Sequence, residues 1–216
     1  MLAGQFIPVG SEHIRFHDDL PSGHGGRHSE EVHHFLGCVA SPKHRTILTT
    51  CYAAGLRISE AVRLKPTEID SQRMVIRVDQ GKGQRDRYVM LSPKLLEILR
   101  DWWRREKPKP WLFPSDIPGH PITRGAVERA CQEAHRASRI SKPITPHSMR
   151  HAFAVHLLER GTDVRTIQLL LGHRSLATTA HYLRIATNKV CSTSSPFDLL
   201  PQPVPAEPAP APPQYF

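Results

Sequence analysis

The chain has 216 residues, with 29 Lys and Arg against 20 Asp and Glu, a formal charge of +9. That length buries one sizeable core with room for tails, and the basic excess points to a polyanionic partner such as nucleic acid. Four isolated cysteines, no long apolar run and no charged-then-apolar leader speak against a disulfide framework, a membrane span and secretion, so a reducing cytoplasm is expected.

Residues 1–27 are rich in Gly, Pro, His and Ser without an apolar period, and read as a linker-like segment. A first short helix is expected from "HSEEVHHFLGCV", with Ser29 as its N-cap. "SPKHRTILTTCYAAG" is a clearer helix, capped by Ser41, carrying Pro42 in its first turn and stopped by Gly55. "RISEAVRLKP" reads as a short helix ended by Pro66. The period then shifts to two: "MVIRVDQ" and "QRDRYVML" predict two strands around a turn in which Gly81 and Gly83 flank Lys82, and "EID" before Ser71 adds a short third. Ser92 and Pro93 open the next helix, whose buried side is expected to hold Leu95, Leu96, Ile98, Leu99, Trp102 and Trp103.

"WLFP" is an extended connector. Residues 123–139 read as helix, and Thr145 and Pro146 cap another that Gly161 ends. Asp163 caps the following helix, and Ser175 caps a last one running past Tyr182. From about residue 196 seven prolines fall within "PQPVPAEPAPAPP", a composition too poor in apolar side chains to fold. The fold class is therefore mainly α with a small antiparallel β-sheet. The division is a linker-like 1–27, one domain over 28–190, and a Pro/Ala-rich tail over 191–216.

The cationic side chains cluster at element ends. Arg57 opens a helix just after Gly55, and Lys82 tips the hairpin. His147 and Arg150, three apart, share one side of a helix N-terminus. His173 follows "LLLG", and Tyr182 lies nine residues later. Gathered together, two guanidiniums, two imidazoles and an ammonium would make a phosphate pocket facing one phenol. Such a set suits phosphoryl transfer through a covalent intermediate. Arginines hold the non-bridging oxygens bidentately and stabilise the charge that builds on them. The phenol is only about a thousandth ionised at neutral pH, so neighbouring cations and a histidine must help it lose its proton.

These residues carry a family resemblance. "GLRISEAVRL", the "GKG" lysine, "HSMRH", "LLLGH" and the "HY" tyrosine, in this order over residues 28–190, resemble the tyrosine recombinases, the family of phage integrases, Xer-type resolvases and mobile-element recombinases. The resemblance implies the catalytic-domain fold of that family. It gives Arg57 and Arg150 the scissile phosphate to clamp, and makes His147 a proton handler. His173 becomes a hydrogen-bonding buttress, Lys82 the acid for the 5′-hydroxyl leaving group, and Tyr182 the nucleophile of a 3′-phosphotyrosyl intermediate. The bond energy stays in the phosphotyrosine, so no ATP, other cofactor or metal is implied. The implied partner is double-stranded DNA, with self-association on it, in a bacterial cytoplasm, and neither a membrane nor a small-molecule substrate.

The rival readings of single residues are blander. His147 and His151 are spaced i, i+4 as a zinc pair would be, yet no cysteine or HExxH glutamate completes a set. Tyr52 and Tyr88 stand on apolar faces and are expected in the core. Glu60 accepts a hydrogen bond from its neighbours, a structural role as much as a catalytic one. Arg85, Arg87, Arg124 and Arg129 are candidates for DNA-backbone contacts, weighed against solvated faces. Family members usually carry a further N-terminal helical domain, so a fragment or trimmed copy is expected. The alternatives to a DNA strand-exchange enzyme are a DNA-binding relic or competitor without turnover, and a type IB topoisomerase-like nicking and closing enzyme.

Overall fold

Seven helices, a one-turn 3₁₀ helix and three short strands make up residues 25–79 and 86–173, which the computed structural model describes. In chain order they are α1 (Gly25–Gly37), α2 (Pro42–Ala53), α3 (Ile58–Ala61), the 3₁₀ turn Pro66–Glu68, β1 (Ile69–Asp70), β2 (Val75–Val78), β3 (Arg87–Met90), α4 (Pro93–Glu106), α5 (Arg124–Ser138), α6 (Pro146–Glu159) and α7 (Val164–Leu171). The predicted mixture of many helices and one small antiparallel sheet is what is found. The sheet runs β1-β2-β3, pairing Ile69 with Ile76 and Val78 with Arg87.

Local chemistry explains most boundaries. Ser41, Ser92, Thr123, Thr145 and Asp163 each accept a hydrogen bond from a first-turn backbone N–H, and Pro42, Pro93 and Pro146 fill first-turn positions that need no donor. Two expectations shift. Helix α1 begins at Gly25, so residues 25–27 are not linker and Ser29 lies inside the helix, not at its cap; its apolar face, with Val32 and Phe35 buried, is wanted against α5 and α6. Helix α3 stops at Ala61, and Pro66 opens the 3₁₀ turn that follows instead of ending α3.

Helix α2 is the hub, packed against α1, α3, α4, α5 and α6. Its Ile47, Leu48 and Cys51 are fully buried with Ile76 of β2, Leu95 and Leu99 of α4, and Val127 and Cys131 of α5, each large aliphatic side chain contributing about 1.5–3 kcal/mol. The α4 stripe is narrower than predicted. Leu95, Leu96, Leu99 and Trp102 are buried, but Ile98 and Trp103 face outward at 38% and 43% exposure. Trp102 Nε1 donates to the Leu112 carbonyl at 2.8 Å, which pins the extended connector.

Helix α6 is buried on two sides. Met149 joins the main core, while Phe153, Ala154, Val155 and Leu158 meet Ile167 and Leu171 of α7. Helix α7 also lies against β3. Strand β3 alternates, with Arg87 and Val89 inward and Tyr88 and Met90 outward. Tyr88 is thus 52% exposed, under the Arg73 guanidinium, and not a core residue as expected. The "GKG" turn, the helix opened by Ser175, residues 1–24 and the 191–216 tail lie outside the described residues.

Gly55 is the one glycine on which the site's position turns. Its φ of +63° suits a residue without Cβ, and a Cβ there would stand 2.6 Å from the Phe153 ring. Gly55→Ala should cost about 1–2 kcal/mol for the left-handed backbone and about 1–3 kcal/mol for overpacking. A fall in urea midpoint at unchanged slope measures this; an unchanged midpoint would show that α2 and α6 can separate freely.

Candidate active site

Four segments meet beside Gly55: the start of α3, the inward face of β3, the first turns of α6 and the end of α7. At their centre is Glu60. It stands at the third position of α3 and reaches back to the Arg57 backbone N–H (Oε2, 2.8 Å), as capping acids do. The same carboxylate accepts from Arg57 Nη1 at 2.9 Å and from both terminal nitrogens of Arg87 at 2.8 Å each. Arg150 Nη1 lies 3.8 Å from Oε2. One carboxylate thus faces three guanidiniums.

Arg150 is the most deeply placed of the three, 2% exposed. Its Nη1 donates to the Gly55 carbonyl at 2.6 Å and its Nη2 to the Leu171 carbonyl. It therefore ties the turn after α2 to the end of α7 from its place on α6. Arg57 is more open, its side chain 40% exposed. His173 follows the left-handed Gly172, and its backbone is clasped by Gln168, which accepts from the His173 N–H at 3.1 Å and donates its side-chain amide to the His173 carbonyl at 3.0 Å.

The charges act on one another. Burial pushes the Glu60 carboxyl up, but the hydrogen bonds and charge of Arg87, then Arg57 and Arg150, overrule it and hold the group below its ordinary value. Both histidines move the other way from a cation's preference. Burial first, then the Arg150 and Arg57 guanidiniums, lower His147, and the same causes with Arg87 and His147 push His173 down to about 4. Both imidazoles are therefore neutral at physiological pH, and a neutral imidazole accepts a proton. Burial pushes the Cys51 and Cys131 thiols up to about 12, which makes them inert as nucleophiles.

The depressed histidines give a stability prediction. Unfolded histidines take up protons near 6.5, while folded His147 and His173, like the buried-ringed His44, resist. The unfolded state binds more protons below that value, so stability falls as pH drops from about 7 toward 4 and is unaffected by these groups above it. Urea midpoints taken across that range should decline steadily. A flat or rising midpoint would contradict the site's electrostatics.

The described residues bring Arg57, His147, Arg150 and His173 together. Lys82 and Tyr182 lie outside them, as does Arg85. Arg124 and Arg129 stand exposed on α5, Arg124 beside Glu128 at 3.5 Å. Arg87 corrects its expectation as a DNA-backbone contact. It is 9% exposed and its whole guanidinium is used internally, on Glu60 and on the Leu170 carbonyl (Nε, 3.0 Å). The signal was available: Arg87 shares the inward parity of Val89 on a period-two strand. Tyr52, the rival phenol, has its hydroxyl 2.9 Å from His156 Nδ1, with the two rings edge to face. Among the described residues, no group of three or more His, Cys, Asp and Glu could hold a metal ion, and no helix is long and apolar enough to cross a membrane.

Known proteins share this sequence and fold. The profile of the Phage integrase family matches residues 28–189. A Sinorhizobium fredii protein named as an integrase/recombinase, y4qK, is 78% identical over 187 residues, spanning 87% of this chain and 60% of that protein. The tyrosine recombinase XerD of Pseudomonas putida is 36% identical over 158 residues, spanning 70% of this chain and 52% of its own. The crystal structure of XerA recombinase superposes with a TM-score of 0.68 at 27% identity, over 76% of this chain and 64% of that one. The chain thus spans between 52% and 64% of the length of these three proteins.

Proposed function

The chain belongs to the phage integrase family, and from that premise we propose that it cuts and rejoins double-stranded DNA through a 3′-phosphotyrosyl intermediate on Tyr182, as a site-specific recombinase. The observation that carries the reading is that Arg57 and Arg150 meet at one carboxylate while His147 and His173 both lie within electrostatic reach of these two guanidiniums, in a chain of +9 charge.

The step is a balanced displacement at phosphorus. The Tyr182 oxygen forms a bond to the scissile phosphorus as the bond to the 5′-oxygen breaks. The phenolic proton passes to neutral His147, and the departing 5′-oxygen takes a proton from Lys82. Arg57 and Arg150 offset the charge that builds on the non-bridging oxygens, and His173 hydrogen-bonds one of them. Donors held in place before the reaction pay no reorganisation when the charge appears. Attack by a second 5′-hydroxyl reverses the chemistry and restores the phosphodiester with no external energy source. Exchange between two sites needs two phosphotyrosines at once, so the chain works as a self-associated assembly on DNA. Residues 28–190 are the catalytic domain, and Arg85, Arg124 and Arg129 add backbone contacts.

A short randomised duplex library carrying nicks tests this, because a nick beside the cut lets the short strand diffuse away and traps the adduct. A denaturant-resistant protein–DNA adduct should form in EDTA. Strand cleavage without an adduct, lost in EDTA and restored by magnesium, would point to a metal-assisted nuclease, and relaxation of supercoiled DNA without a recognised sequence would point to a topoisomerase.

A further inference from the structure

We propose that Arg87 is a positioning residue of the phosphate site: it takes up the charge of Glu60, so that the positive charge of Arg57 and Arg150 remains for a phosphodiester. The inference rests on the functional reading above and assigns a residue that reading leaves without a role. Three facts carry it. Arg87 makes the only two-pronged contact with Glu60 among the described guanidiniums, both of its terminal nitrogens lying 2.8 Å from the two carboxylate oxygens. The Arg57 side chain approaches the same carboxylate with one guanidinium nitrogen at 2.9 Å, and the nearest Arg150 nitrogen is 3.8 Å away. Arg87 is itself held by the Leu170 carbonyl, three residues before His173, and is 9% exposed, so it cannot reach a DNA strand without leaving both partners.

The electrostatic consequence is direct. Three guanidiniums against one carboxylate leave a net charge of two at the site. Without Arg87, Glu60 neutralises one of the other arginines, and its oxygens compete with the phosphate for the same N–H groups. A fork-to-fork pair between Arg87 and Glu60 weakens that competition: it takes two of the carboxylate's lone pairs and offsets its charge, leaving Arg57 a single side-chain hydrogen bond to Oε1. The same pair fixes where the carboxylate sits, and through it the orientation of Arg57. The Leu170 contact sets the end of α7 against β3, which locates His173 relative to the arginines.

The test uses the whole chain, a short mixed-sequence duplex as probe, and equilibrium binding at fixed salt beside thermal unfolding. Arg87→Met should weaken duplex binding about fivefold to tenfold. Adding Glu60→Gln should recover most of that loss, because the uncompensated carboxylate is gone. Arg87→Lys, which keeps the charge, should bind within about twofold of the native chain. For a merely structural arginine, Glu60→Gln restores binding only in step with the melting temperature, because it relieves a buried uncompensated charge; the proposal requires the binding loss and its recovery to be seen among variants fully folded at the assay temperature. Wild-type binding by Arg87→Met, or a double variant no tighter than the single one, overturns the proposal. Should Arg87→Met not fold, Arg87→Lys is compared with Arg87→Lys/Glu60→Gln. Tighter binding by the double variant supports the proposal, and equal or weaker binding overturns it. The functional reading is judged separately by the covalent adduct of the native chain: without an adduct that reading fails while the binding cycle still decides the role of Arg87.

Discussion

Tyr182→Phe is expected to abolish the denaturant-resistant adduct while leaving duplex binding within about twofold. The substitution removes one oxygen and keeps the ring. Binding by this basic chain is carried by cations meeting phosphates, and one phenolic hydroxyl adds little to it. Covalent capture, in contrast, has no route without the attacking oxygen. Deleting a nucleophile acts on the scale of 10⁴-fold or more, which takes the adduct below detection. Tyr52→Phe is the control: its hydroxyl is committed to His156, so the adduct should persist. An adduct that survives Tyr182→Phe would move the nucleophile elsewhere and undo the assignment of the entire "HY" segment.

Arg150→Ala should damage both the fold and the chemistry. The guanidinium is 2% exposed and serves two backbone carbonyls, of Gly55 and Leu171, besides its charge contact with Glu60. Truncation leaves those acceptors buried without a donor, at about 1–3 kcal/mol each, and opens a void under α2, α6 and α7. A loss of about 3–5 kcal/mol in unfolding free energy is the expected sum for a broken buried charge contact. The adduct should vanish as well. Arg150→Lys separates the two effects. It keeps the charge and loses the fork, so most of the stability should return while adduct formation stays down by about 10²–10³-fold, the cost of losing one preorganised donor to the developing charge. Near-native adduct formation in the lysine variant would show that charge alone suffices at this position.

Much of this was legible in the sequence. Cap residues announce nearly every helix, since Ser, Thr and Asp at those positions satisfy backbone N–H groups by local chemistry that needs no tertiary partner. The arginines and histidines proposed for the site were singled out because they stand at element ends and turns, where side chains escape the core. What the sequence hid were groups whose role depends on tertiary contact. Glu60 was expected to accept a hydrogen bond from its neighbours, and it does, capping α3 at the Arg57 N–H; that it also collects Arg87 from a strand 27 residues away follows only from the packing of β3 on α7. Arg87 was expected at the DNA backbone or on a solvated face, although its parity with Val89 placed it inward. Tyr88 erred in the opposite direction for the same reason, a one-residue offset on a strand of period two. Trp103 was expected inward from the helical period, but it stands 43% exposed near the end of α4 while Trp102 is buried.

The central claim is a 3′-phosphotyrosyl link on Tyr182, and its polarity and location can be read in one measurement. Adduct formed in EDTA on nicked duplexes labelled on either side of the cut is digested with protease and nuclease, and the nucleotide-bearing peptide is sequenced by mass spectrometry. The account predicts that protein retains the strand on the 5′ side of the break through its 3′-phosphate, that a 5′-hydroxyl is released, and that the modified residue is Tyr182. A 5′-phosphate on the protein, or the nucleotide on any other residue, would contradict it.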